Sequence, residues 1–71
     1  MNEALLKTLG ERIATRRIQM DISQTDFAAL VGIHRQTLWL VETGRTAAKI
    51  STLMRIADAL DLHVTDLLAG L

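Results

Sequence analysis

The side chains capable of covalent or metal chemistry do not form a set in this sequence. Its two histidines, His34 and His63, stand 29 residues apart with no cysteine anywhere to join them, so the ligand spacing of a zinc site is missing. Ser23, Thr37 and Ser51 carry hydroxyls, but no histidine–acid pair is placed to activate any of them. The four glycines, Gly10, Gly32, Gly44 and Gly70, are too scattered to cradle a phosphate in a loop. An enzyme is therefore not expected, nor a metal or any other cofactor. What remains is the chemistry of guanidinium, amide and carboxylate groups, which is the chemistry of binding.

Those groups must be held by something, and the chain allows only a small frame. It has 71 residues, 49% of them hydrophobic and 23% charged, an ordinary globular mix that argues against disorder. The expectation is one domain spanning residues 1–71. With no cysteine there can be no disulfide to staple it, so it needs well-packed helices and gains from a second copy of itself. Met1 reads as the initiating residue. No apolar run approaches the roughly 18 residues of a membrane span, and the first ten residues lack the layout of a signal peptide. The cytoplasm is the expected compartment, with no membrane contact.

Eight Lys and Arg balance eight Asp and Glu, which excludes a uniformly basic protein but not a basic face. Residues 12–49 carry a surplus of three positive charges, while residues 1–11 sum to minus one and residues 50–71 to minus two. Binding to a polyanion would have to come from that central stretch.

Apolar residues recur at helical spacing throughout, and strand patterns are absent. A first helix is expected behind an Asn2 cap, carrying Leu5, Leu9, Ile13 and Met20 and ending near Asp21. Ser23, with Asp26 three residues on, starts a second helix that Gly32 stops. A third runs from about His34 to Thr43 and ends at Gly44. Residues 45–49 read as a loop. Ser51 is expected to cap a fourth helix whose apolar face is Leu53, Met54, Ile56, Ala57 and Leu60, with Asp61 as a left-handed stop. A last short helix carries Val64, Leu67 and Leu68. The expected fold is all-α, with five short helices. The methionines are expected to fill its core.

The segment from Ser23 to Thr43 is a helix, a short turn containing Gly32, and a second helix, which is the helix-turn-helix layout. Ala28 is small where the two helices would cross. Ile33, Leu38 and Val41 face inward, leaving Arg35, Gln36, Trp39 and Leu40 outward. With the stretches "LGERIATRR", "SQTDFAALVGIHRQTL", "VETG" and "TLMRIADALDLHVTDLL" in order, residues 9–68 resemble the lambda-repressor/Cro type of helix-turn-helix domain, the XRE family. No single stretch is diagnostic; the match lies in their order and spacing over nearly the whole chain.

That resemblance implies a five-helix fold whose third helix lies in the major groove of double-stranded DNA. It assigns Gln24 to a backbone phosphate and Arg35 and Gln36 to base edges, where Arg donates twice to guanine and Gln pairs twice with adenine. Thr37 is expected on a phosphate or a thymine methyl. His34 stands where the family usually has Ser or Thr; it is a poorer cap that is expected near phosphate. Arg45 and Lys49 suit the adjoining backbone. Arg17 and Glu42 match a family ion pair that orients the third helix.

Trp39 and Leu40 depart from the family, being apolar at usually polar positions. Leu40 fits a thymine methyl. Trp39 either lies against DNA or a neighbouring chain, or folds over the core edge toward residues 45–49. Both departures imply direct readout through fewer polar contacts. The Leu-rich end, with Leu62, Val64, Leu67, Leu68 and Leu71, is expected to form the contact of a symmetric homodimer. The functional expectation is a sequence-specific transcriptional regulator, a repressor occupying a palindromic operator. The alternative is an antitoxin that binds a toxin protein and represses its own operon.

Overall fold

Four of the five helices end in the same backbone device. The computed structural model describes residues 2–71, and Met1, expected as the initiating residue, lies outside them. The elements are α1 (Glu3–Gln19), α2 (Gln24–Val31), α3 (Arg35–Glu42), α4 (Ile50–Ala59) and α5 (Val64–Leu68), and among the described residues all regular structure is helical. After each of α1 to α4 one residue adopts a left-handed conformation: Asp21 (φ 59°), Gly32 (φ 84°), Gly44 (φ 72°) and Asp61 (φ 56°). The next residue then donates its N–H back into the helix. Ile22 bonds to the Arg17 carbonyl at 3.3 Å, Ile33 to Ala28 at 3.0 Å, Arg45 to Leu40 at 2.9 Å and Leu62 to Ala57 at 2.9 Å. This is the Schellman closure, which satisfies carbonyls that a helix end otherwise leaves unpaired. In three cases the returning residue is apolar, Ile22, Ile33 and Leu62, and packs against the core. In the fourth it is Arg45.

The N-terminal ends are less uniform. Asn2 Oδ1 accepts from the Leu5 N–H at 2.9 Å, and Ser23 Oγ from the Asp26 N–H at 3.1 Å. At α5 the Asp66 carboxylate accepts from the His63 N–H at 2.9 Å. The expected Ser51 cap is not formed. Here α4 begins at Ile50, because the backbone turns helical directly after the extended Lys49, whose carbonyl accepts from the Leu53 N–H at 2.9 Å. Ser51 lies inside the first turn.

The core is drawn from every helix: Leu9 and Ile13, then Phe27, Ala28 and Val31, Leu38 and Val41, Leu53, Ile56, Ala57 and Leu60, and Leu67. α3 rests on α1 and α2, α2 also meets α4, and α5 closes against α1 and α4. Met54 is not a core residue, as the apolar periodicity had suggested, but is 55% exposed. The inward arc of α4 is filled by Leu53, Ile56, Ala57 and Leu60, which leaves Ile50 and Met54, one turn apart, on the outside. No helix among the described residues is long and apolar enough to cross a membrane.

Candidate nucleic-acid interface

What fixes α3 in place lies behind it. Arg17 reaches from α1 with Nε 2.7 Å from Glu42 Oε2 and Nη2 3.0 Å from Oε1, a two-pronged pair. Both residues are buried, at 9% and 6% exposure. The remaining arm of Arg17, Nη1, donates to the Ile22 carbonyl at 2.8 Å, just ahead of α2. Gln24, at the start of α2, donates from Nε2 to Glu42 Oε1 at 3.0 Å. One carboxylate at the end of α3 therefore ties together α1, the turn before α2 and the first residue of α2. The sequence pointed to Arg17 and Glu42 as a pair; the share of Ile22 and Gln24 was not visible in it. One N–H of the Gln24 amide is used in this network, and an amide nitrogen carries two.

The outward side of α3 is open. His34, Arg35 and Gln36 are exposed, Thr37 and Leu40 half-buried, and Leu38, Val41 and Glu42 face inward. His34 takes the extended backbone of an N-cap but makes no side-chain capping bond, so α3 presents uncapped N–H groups at this end. Arg35, Gln36 and Trp39 line one shallow depression. Trp39 is 40% exposed, and the Arg45 guanidinium lies over its ring, 5.0 Å from the centroid. The indole is thus both open to solvent and covered on one face by the loop that follows α3. Lys49, at the far end of that loop, is exposed.

The charge surplus of residues 12–49 is not all on this face. Three of its six cations are engaged by the protein itself. Arg17 is paired as described. Arg12 donates to the carbonyls of Leu67 at 3.0 Å and Ala69 at 2.6 Å, and Arg16 to that of Leu60 at 3.0 Å. Arg12 and Arg16 thereby satisfy carbonyls at the ends of α5 and α4, where positive charge is favoured by the helix dipole. The cations left around α3 are Arg35, Arg45 and Lys49. No local sequence rule places a guanidinium on a carbonyl more than 40 residues away, so this division was not legible beforehand.

At the Leu-rich end one expected surface residue belongs to the interior. Leu67 is 2% exposed and fills the core beneath α1, so its side chain has no surface to offer another chain. Leu62, Val64 and Leu68 are half-buried against the core, and Leu71 is 40% exposed. Beside them a groove is lined by Met54, Ala57, Leu62, Val64 and Thr65, with the polar side chains of Asp58 and His63. Met54 and Ile50, 55% and 64% exposed, extend the same apolar edge. The signal for them was present as an apolar arc on α4 too wide for one core face.

Comparison with known proteins places this geometry. A family model described as Helix-turn-helix, HTH_3, matches residues 13–67. Among solved structures, the restriction-modification controller protein C.AhdI from Aeromonas hydrophila matches with a TM-score of 0.87 and 30% identity, over 90% of this chain and 97% of that one. A hypothetical transcription factor, NHTF, from Neisseria matches with a TM-score of 0.85 and 26% identity, over 96% and 79% of the two chains. A chain of the SinR protein/SinI protein complex matches with a TM-score of 0.81 and 27% identity, over 87% and 61%.

Proposed function

The chain belongs to the helix-turn-helix family HTH_3, and from that premise we propose that it is a DNA-binding transcriptional regulator that represses by occupying a palindromic operator as a homodimer. DNA binding and transcriptional regulation come with the family and its structural neighbours. The observation that supports sequence reading is the contrast between the two sides of α3. Its inner side is locked by the Arg17–Glu42 pair, while Arg35 and Gln36 stand exposed at its N-terminal end. A rigid helix whose first turn carries a two-pronged donor and an amide is equipped to read base edges in a major groove. His34, Thr37, Arg45, Lys49 and the remaining amide N–H of Gln24 are assigned to the flanking phosphates, and Leu40 to a thymine methyl.

Selection of bound sites from random DNA, at stated salt, tests the reading. A two-fold symmetric sequence is expected. Arg35→Ala should lose about 1–3 kcal/mol on that sequence and relax preference at one position of each half-site. An Arg35→Ala protein that discriminates selected from random DNA as well as its parent would remove Arg35 from the reading surface.

The homodimer is assigned to the edge formed by Ile50, Met54, Leu62, Val64, Leu68 and Leu71, with the two α3 helices roughly 34 Å apart, one turn of DNA. A mass of two chains is expected in sedimentation at micromolar concentration, and Met54→Asp should shift it to one. A parent that sediments as a single 7.9 kDa chain would count against this edge.

A further inference from the structure

Arg45 is the exception among the helix closures, and Trp39 is where it goes. The residue that returns its N–H to the helix is apolar and packs inward after α1, α2 and α4, as Ile22, Ile33 and Leu62. After α3 the same backbone geometry, with Arg45 N–H on the Leu40 carbonyl at 2.9 Å, turns a guanidinium outward instead. That group lies over the Trp39 ring, 5.0 Å from its centroid. Trp39 stands four residues after Arg35 and three after Gln36, on one stripe of the helix, and shares a depression with both. The guanidinium therefore lies over a residue that adjoins the reading residues, one turn further along α3.

We propose that Trp39 is a positioning residue, whose indole holds the Arg45 guanidinium ready for a DNA backbone phosphate flanking the base-reading end of α3. This rests on the DNA-binding reading above. A guanidinium lying over an aromatic face keeps its N–H edges free, and those edges match two phosphate oxygens. A long, flexible arginine loses side-chain freedom when DNA immobilises it. Held over Trp39, Arg45 has given up part of that freedom already, so less is lost on binding. Both partners are anchored from one short stretch of backbone: Trp39 by α3, and Arg45 by the closure of the same helix. The Thr43 hydroxyl donates to the Trp39 carbonyl at 2.7 Å and tightens this last turn. The contact carries no base information, so it strengthens binding to all sequences alike.

The test compares the parent protein with Trp39→Ala, Trp39→Phe, Arg45→Ala and the double alanine variant, on a selected duplex and on a random one across a salt series. Trp39 is a surface residue, and circular dichroism verifies the fold of each variant. Trp39→Ala should weaken binding roughly three- to tenfold, the freedom of one immobilised side chain, and equally on both duplexes. Arg45→Ala should lose at least as much and lower the slope of log affinity against log salt by about one. The double variant should bind no worse than Arg45→Ala, and Trp39→Phe should recover most of the loss. Additive losses in the double variant overturn the positioning role, as does a Trp39→Ala protein with altered base preference, which would make Trp39 a reader in its own right. If the parent binds neither duplex, the DNA-binding reading falls and takes this inference with it. If the parent binds and Arg35→Ala relaxes its preference while Trp39→Ala changes nothing, only this inference falls.

Discussion

Glu42→Ala should bring this domain close to unfolding. The Glu42 carboxylate accepts from Arg17 twice and from Gln24 once, at 6% exposure. Removing it strands a guanidinium that is itself only 9% exposed, and breaking a buried pair on one side costs about 3–5 kcal/mol. A domain of 71 residues has a total stability on the order of 4–10 kcal/mol, so the loss removes between about a third of it and all of it. The urea midpoint should fall accordingly while the slope of the transition stays the same. The double replacement Arg17→Met with Glu42→Leu separates two causes. If the single variant fails because a charge is stranded, an apolar pair of similar volume should restore most of the stability. A Glu42→Ala protein that melts within a few degrees of its parent would mean that water reaches Arg17, and the pair would then not be what fixes α3.

The second large effect runs against helix propensity. Gly10 lies in the middle of α1, where alanine is preferred over glycine by about 1 kcal/mol, so a reading of α1 alone predicts that Gly10→Ala stabilises. The structure predicts the reverse. A methyl group at Gly10 would land on the Val41 carbonyl oxygen and lie 2.5 Å from that of Glu42. These are backbone atoms at the end of α3 and cannot rotate away as a side chain would. Either α1 and α3 move apart or the last turn of α3 distorts. Overpacking of this kind typically costs 1–3 kcal/mol and sometimes more. Set against the gain of about 1 kcal/mol in helix propensity, we expect a net loss of about 1–2 kcal/mol, which for a domain of this size lowers the melting temperature by roughly 4–16 °C. A Gly10→Ala protein as stable as its parent would show that the two helices are not held at this distance. The shift should also disturb the Arg17–Glu42 geometry, so the losses from Gly10→Ala and Glu42→Ala should not add.

How much of this was legible depends on how far apart the deciding residues lie. The helix order could be read because its punctuation is local. Asn2, Ser23, Gly32, Gly44 and the two left-handed aspartates, Asp21 and Asp61, act within a few residues of themselves. The helix-turn-helix could be read for the same reason, since Ala28, Gly32 and the inward Ile33, Leu38 and Val41 lie within one short stretch. Ser51 misled because a good capping residue does not start a helix where the preceding backbone has already turned. Met54 and Leu67 were misplaced for a different reason. Periodicity identifies an apolar arc but not where a core ends, so one expected core residue lies outside and one expected surface residue lies inside. The engagement of Arg12 and Arg16 is a matter of carbonyls 44 to 57 residues distant, and nothing near either arginine announces it.

The locking of α3 from behind has a consequence for how this protein can change over generations. Everything that sets the position of the helix, from Gly10 and Gly44 to Arg17, Gln24 and Glu42, touches its inner side or its end. Arg35 and Gln36 lie outside that set, and surface substitutions away from such features usually alter stability by no more than about 0.5 kcal/mol. The two residues assigned to base edges can therefore be exchanged with little threat to the frame that carries them. If Arg35 and Gln36 read base edges as proposed, a lineage can acquire a new target sequence by drift at a few exposed positions while selection for folding acts elsewhere.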